Sequence, residues 1–550
     1  MDGYYDLGGY SRKITTTSQE AQTWFDRGLM WCYGYHHDEA AACFRKAVEA
    51  DANCPLAYWG LAYVLGCNYN KPWQAFDPED ASRSIQAAHE ATRSAQKLAG
   101  IATPVEKLLI EALTARYPRN EPSEDLPSWN DAFADAMRTA HATADGDLDV
   151  ATIFAEAMMN RTPWELWNIQ TGKPADGADT GEIIGVLEAA MALPGGMKHP
   201  GLLHMYIHTM EMSPHPERAL KAANALRDLV PDAGHLRHMP THIDVLVGDY
   251  SSVIGSNEQA IAADRKFLER AGPLNFYSLY RCHNYHFKIY GAMFAGRFDD
   301  AISTAEEMIS TLPAELLKVE SPPMADWLEG FVSVKQHVLV RFGKWHDIIN
   351  QELPEDRELF AVTTAMIWYA KAVANGVIGN VEQARLCAAS FDEALSRVPE
   401  SRYIFNNKCI DILAVAREMM LGEIDYREAQ YDDAFAHLRK AVELDDNLPY
   451  DEPWGWMQPT RHALGALLLE QGRVEEAEAV YRADLGLDPE LPRACWHPDN
   501  IWATRGYHEC LQRLGRNEEA AELEAKLASL DQNADLPVKV SCFCRKQVNW

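Results

Sequence analysis

The sequence predicts an all-α fold, a helical solenoid with inserted loops, and three observations carry that expectation. Almost every long segment repeats its apolar residues at helical spacing. Strand-like alternation is nearly absent. A phrase also recurs along the chain, in which glycine is followed five residues later by a small or aliphatic residue. Its copies are Gly248 to Val253, Gly296 to Ala301, Gly343 to Ile348, Gly472 to Ala477 and Gly515 to Ala520. Glycine there ends one helix in a left-handed cap, and the small residue lets the next helix pack closely.

A chain of 550 residues, 47% of them apolar, exceeds one ordinary core and calls for several domains or an array. With 51 basic against 81 acidic residues the net charge is −30. Such a surface repels phosphate backbones and anionic membranes, so neither nucleic acid nor membrane is an expected partner. The eleven cysteines are odd in number and form no C-x-x-C pair. They read as free thiols of a reducing compartment. The opening MDGYYDLGGYSRK has no apolar core, and no apolar run reaches membrane-spanning length, so the expected location is cytoplasmic.

The stretch LGALLLEQGRVEEAEAVYRADLGLDP resembles the tetratricopeptide repeat (TPR), a helix-turn-helix unit of 34 residues. Leu464, Gly465, Leu468, Ala477, Tyr481 and Pro489 stand at that family's positions, as do Gly28, Trp31, Ala40, Phe44 and Ala47 near the start. The resemblance runs over roughly residues 20–530 and implies a right-handed solenoid. Departures at 162–182 and around 265–285 read as insertions. The expected divisions are an N-terminal extension at 1–20, helical hairpins over 21–100, a central region over 101–355, C-terminal repeats over 356–530 and a tail at 531–550. Solenoids of this kind commonly bind protein partners, so a partner on the repeat surface is one expectation.

Histidines are concentrated in the central region. Seven of the nineteen lie between 199 and 242. HPGLLHMYIHTME puts His204, His208 and Glu211 at i, i+4 and i+7, one stripe of a helix. AGHLRHMPTHI puts His235, His238 and His242 at i, i+3 and i+7, and RCHNYHF adds His283 and His286. Taking Ala219, Val253 and Ala301 as repeat position 20 places all of these at positions 2, 5, 9 or 12. In the family those positions line the concave groove, as position 9 would for His337. Imidazole is a leading ligand for copper, iron and zinc. Eight imidazoles and one carboxylate exceed one tetrahedral site, so one or two ions are expected, copper before iron or zinc. His204, His208, His235, His238, His242, His283 and His286 are the candidate ligands, with Glu211 a ligand or base.

Other residues are weaker candidates. Glu156, one helix earlier, is a second candidate ligand or general base. His337, His462 and Trp456 could line a substrate groove or simply pack the repeats. His199 and His215 read as surface or capping residues, His36 and His37 as a solvated turn, and Cys542 and Cys544 as part of a flexible tail. Met205, Met210, Met212 and Met239 read mainly as core. Serine-triad, zincin and phosphate-loop motifs are absent from the sequence. The two histidine motifs together with the opening RGLMWCYGYHHDEAAACFRKA also resemble a branch of bacterial and fungal repeat proteins, a resemblance that implies no activity. The expected function is a metal-dependent enzyme that oxidises a small organic molecule with dioxygen. A metal-assisted hydrolase or lyase, or a metal-free scaffold for a partner peptide, stands beside it.

Overall fold

Helices follow one another from Gln19–Tyr33 to Asn517–Asn533 in the computed structural model, which describes residues 3–144, 146–489 and 491–545. Among the described residues, strand is confined to two short antiparallel hairpins, Trp167–Asn168 with Lys173–Pro174 and Tyr403–Ile404 with Asn407–Lys408. Two compact units emerge. The first comprises 1–243 and 259–271, the second 244–258 and 272–550. Within each, a helix packs chiefly on its neighbours in sequence, as in Gln19–Tyr33 on His37–Ala50 and Ala361–Ile378 on Val381–Leu395. These are consecutive helical hairpins.

The recurrent glycines do what their positions predict. Gly248, Gly296, Gly343, Gly472 and Gly515 all have positive φ, between 62° and 81°, at helix ends. Close packing is set by a second device, one aromatic ring over two glycines. In the first unit Phe44 lies so near Gly28 and Gly60 that an added Cβ would stand 2.8 and 2.4 Å from its ring. In the second, Tyr481 does the same to Gly465 and Gly506, at 2.4 and 2.3 Å. Only hydrogen fits there, so the ring keys each second helix between its two neighbours.

Two expectations need correction. Residues 265–285 are no insertion, because helix Tyr250–Ala271 continues into them and Ser278–Phe294 starts seven residues after it ends. The stretch 162–182 is one, and it carries the first β-hairpin. Cys542 and Cys544 are not free in a loose tail. They form a disulfide, and Ser541 beside them is buried, with its hydroxyl donating to the His462 carbonyl at 3.0 Å. Among the described residues no helix is long and apolar enough to cross a membrane.

Candidate metal centre

The site of the first unit is built on helix Pro200–Glu211. His199 caps it, its Nδ1 accepting from the Leu202 amide at 3.1 Å, and Pro200 follows at the first helical position. Gly201 permits close approach, since a Cβ there would stand 2.7 Å from both Thr152 and the Tyr33 ring. That proximity brings His204 to the Tyr33 carbonyl. Gly234 plays the matching part for Gly234–His238, because a Cβ would lie 2.0 Å from an Asp264 oxygen.

Five of the expected histidines gather in this unit. Ring centroids lie 4.8 Å apart for His204 and His208, 5.0 Å for His204 and His235, and 6.4 Å for His208 and His235. One ligand atom from each of these three falls within 4.8 Å of the others. His238 stacks on His235 at 5.7 Å, and His242 meets His238 at 4.7 Å and His208 at 5.5 Å. All five rings and Glu211 are at most 1% exposed.

Hydrogen bonds decide which nitrogens are free for a metal. His204 Nδ1 lies 2.6 Å from the Tyr33 carbonyl oxygen, which can only accept, so the proton sits on Nδ1. His208 Nδ1 likewise donates to Glu211 Oε1 at 2.9 Å. Burial holds both imidazoles well below their ordinary pKa, His204 at about 3, so both are neutral. Each then carries its lone pair on Nε2, and neither Nε2 has a hydrogen-bond partner. A metal-ligating histidine has this arrangement, with one nitrogen pinned by a carbonyl or carboxylate and the other bare. Glu211 is an orienting group in this geometry. Its Oε2 accepts from His242 Nδ1 at 2.7 Å, so both oxygens hold imidazoles. His242 Nε2 faces His238 Nε2 at 2.7 Å, and these two nitrogens occupy each other.

An aromatic wall completes the site, and the sequence reading missed it. Tyr35 lies 4.6 Å from His204 and stacks on His208 and His235 at 6.0 and 5.8 Å. Its φ of 53° is left-handed, a strained backbone for tyrosine. Tyr69 stands 5.2 Å and Trp164 5.7 Å from His208. Trp164 comes from the insertion, which is anchored by Trp167 donating to the Thr209 carbonyl at 2.7 Å. The tyrosines of YGYHH were a signal available in the sequence; the reach of Trp164 was not. Glu156 lies behind this wall. It accepts from the Tyr63 hydroxyl, and burial raises its pKa against the pull of Tyr63, Arg116, Tyr35 and the Tyr69 backbone.

His283 and His286 sit on Ser278–Phe294 in the second unit, as do His337, His462 and Trp456. His462 has no nitrogen to spare for a substrate, because Nε2 donates to Asp484 at 2.8 Å and Nδ1 accepts from Arg341 at 2.9 Å. His36 is buried beneath Trp31 and Phe267 rather than solvated. His199 is capping, as expected, but fully buried, with Nε2 on Asp149 at 3.0 Å. His215 is exposed.

No protein-family model and no curated protein matches the chain. Among solved structures it is similar to yeast Tom70, at 11% identity over 93% of this chain and 92% of that one, with a TM-score of 0.27. It is also similar to the APC/C hetero-tetramer Cut9–Hcn1, at 13% identity over 94% of each chain and a TM-score of 0.23. A third likeness is to Naa15/Naa10 bound to HypK-THB, at 14% identity over 93% of this chain and 70% of that one, with a TM-score of 0.20. Likenesses this distant carry no argument about the site.

Proposed function

We propose that the first unit holds a transition-metal ion on His204, His208 and His235, and that the chain is a metal-dependent enzyme acting on a small organic molecule. The observation that carries this reading is the pair of bare, buried Nε2 lone pairs on His204 and His208, each with its Nδ1 proton pinned. Leaving a polar atom unpaired in a dry interior is costly, and a ligand bond removes that cost. Three imidazoles suit copper first, then iron or zinc, and leave a coordination position open. A bound copper or iron ion would supply dioxygen activation there, and a bound zinc ion water activation for hydrolysis.

The chain's own residues prepare the site. Tyr33 and Glu211 fix the two ring orientations, so little reorganisation accompanies binding. Tyr35, Tyr69 and Trp164 exclude water and offer flat apolar faces to a substrate. Glu156 is the group behind that wall able to store a proton, since burial raises its pKa.

Elemental analysis of purified protein tests the reading. Near-stoichiometric copper or iron, with an optical band that forms only in air, is the expected result. Zinc without a band would favour hydrolysis. The hairpin architecture supports a second reading, a metal-free scaffold for a partner peptide. That reading gains if metal stays below about 0.2 per chain and added copper, iron or zinc leaves Tm unchanged.

A further inference from the structure

The second unit buries a group of nitrogens that find no hydrogen-bond partner among the described residues. His286 is 0% exposed, and neither ring nitrogen has a hydrogen-bond partner. His337 Nδ1 and Trp456 Nε1, on residues 3% and 1% exposed, are likewise unpartnered. Buried polar atoms are nearly always hydrogen-bonded, so several exceptions among neighbouring aromatic rings call for an occupant.

The rings form two groups, one around His337 and one around His286, and the two imidazoles are close enough to interact electrostatically. Trp456 meets His337 at 4.6 Å and Tyr369 at 5.5 Å. His286 meets Phe331 at 5.2 Å, and Phe331 meets Phe405 at 5.1 Å. The helices bearing His286 and His337, Ser278–Phe294 and Val334–Arg341, pack on each other. Two departures from the repeat supply the other walls. Phe405 tips the second β-hairpin with φ 46°, a conformation that persists only where its surroundings hold it. Trp456 lies in residues 450–459, which are non-helical yet buried throughout. Connecting segments ordinarily run over the surface, so this one is folded inward at the expense of its backbone hydration.

We propose that His286, His337 and Trp456 form a binding chamber for a small, planar, uncharged molecule that carries a hydrogen-bond donor and acceptor on one edge, as an amide or a phenol does. The aromatic rings take its faces. The indole N–H and an imidazole N–H donate to its acceptor, and an imidazole lone pair receives its donor. Charge is disfavoured in both directions. Burial holds His286 and His337 at about 3, so neither gives an anion a positive partner. Glu329, the buried carboxylate nearest Phe331 in sequence, spends both oxygens on the Val362 and Thr363 amides and the Thr363 hydroxyl. The chamber involves none of the first unit's ligands, so it stands independently of the metal proposal.

The test uses the full chain with benzamide, phenol, benzoate and benzylamine as probes, read by ligand-detected NMR and by Tm. Benzamide and phenol should bind and raise Tm, and the two charged probes should not. His286→Leu should weaken benzamide about tenfold, and Trp456→Phe, which keeps most of the ring, several-fold. His204→Ala should leave benzamide binding unchanged, which separates this outcome from the fate of the metal centre. The proposal is overturned if neither neutral probe binds, if the charged probes bind as tightly, or if both variants keep the parent affinity.

Discussion

His208 turns its Nδ1–H onto Glu211, one helical turn along, at 2.9 Å, and so leaves its Nε2 lone pair bare in a dry pocket. The contact converts a short sequence motif into a statement about protonation. The carboxylate selects the tautomer, and the tautomer selects the nitrogen that can hold a metal.

Metal content should follow the two bare imidazoles, His204 and His208. His204→Ala and His208→Ala are each expected to lower bound metal at least about tenfold, and His215→Ala, on the surface, to leave it unchanged. Mass-spectrometric metal analysis of the purified variants is the readout. Equal retention in all three would refute the ligand assignment.

Glu211→Gln keeps the side chain's volume but cannot accept from both His208 and His242 as a carboxylate does. Metal affinity, measured by competition with a chromophoric chelator, should fall by about 10- to 100-fold. An undiminished affinity would mean that the carboxylate does not orient the rings.

Asp149 is a buried hub of the first unit. It accepts from Tyr10 at 2.8 Å, Arg12 at 2.7 Å, Tyr33 at 2.5 Å and His199 at 3.0 Å. Asp149→Ala strands those donors and the Arg12 charge, at an expected cost of about 3–5 kcal/mol in urea unfolding. A loss under about 1 kcal/mol would show that water takes over the network.

Acid should destabilise the chain through its buried histidines. Burial lowers the pKa of His36, His204, His286 and His337 from 6.5 to about 3. The folded state keeps these rings neutral, whereas the unfolded chain takes up protons as pH falls through 6.5. Their contribution is complete above that value and is lost on acidification toward 3, by about 1.4 kcal/mol per pH unit for each ring. Tm in metal-free buffer should therefore drop between about pH 7 and pH 5. A flat profile over that interval would contradict the neutral assignment.

The glycine keys can be tested by adding one methyl group. Gly60→Ala places a Cβ 2.4 Å from the Phe44 ring and should cost about 1–3 kcal/mol through overpacking. Gly185→Ala, within helix Thr180–Ala192 and facing open space, should stabilise by up to about 1 kcal/mol. The same sign for both changes would remove the argument from close approach.

Much of the local design was legible in the residues. Helical spacing, the glycine phrase and the repeat positions of Gly28 and Phe44 needed no structure, because backbone conformation and hairpin packing act over a few tens of residues. The i, i+4, i+7 stripe of His204, His208 and Glu211 was legible for the same reason. The roles were not. Glu211 read equally well as ligand or base, and only the structure set its two oxygens on the Nδ1 atoms of His208 and His242. His462 read as a groove residue until Asp484 and Arg341, each distant in sequence, took both its nitrogens.

The sequence by itself determined a chain of helical hairpins with a histidine stripe on one helix and a second stripe shortly after it. Only the tertiary structure decided that five of those rings meet in the first unit, that the Tyr33 carbonyl and the Glu211 carboxylate set their tautomers, and that Tyr35, Tyr69 and Trp164 wall them in. Periodicity fixes which way a side chain leaves its own helix. A hydrogen-bond partner supplied by another segment is settled only when the chain closes on itself and each buried polar atom must find, or fail to find, its match.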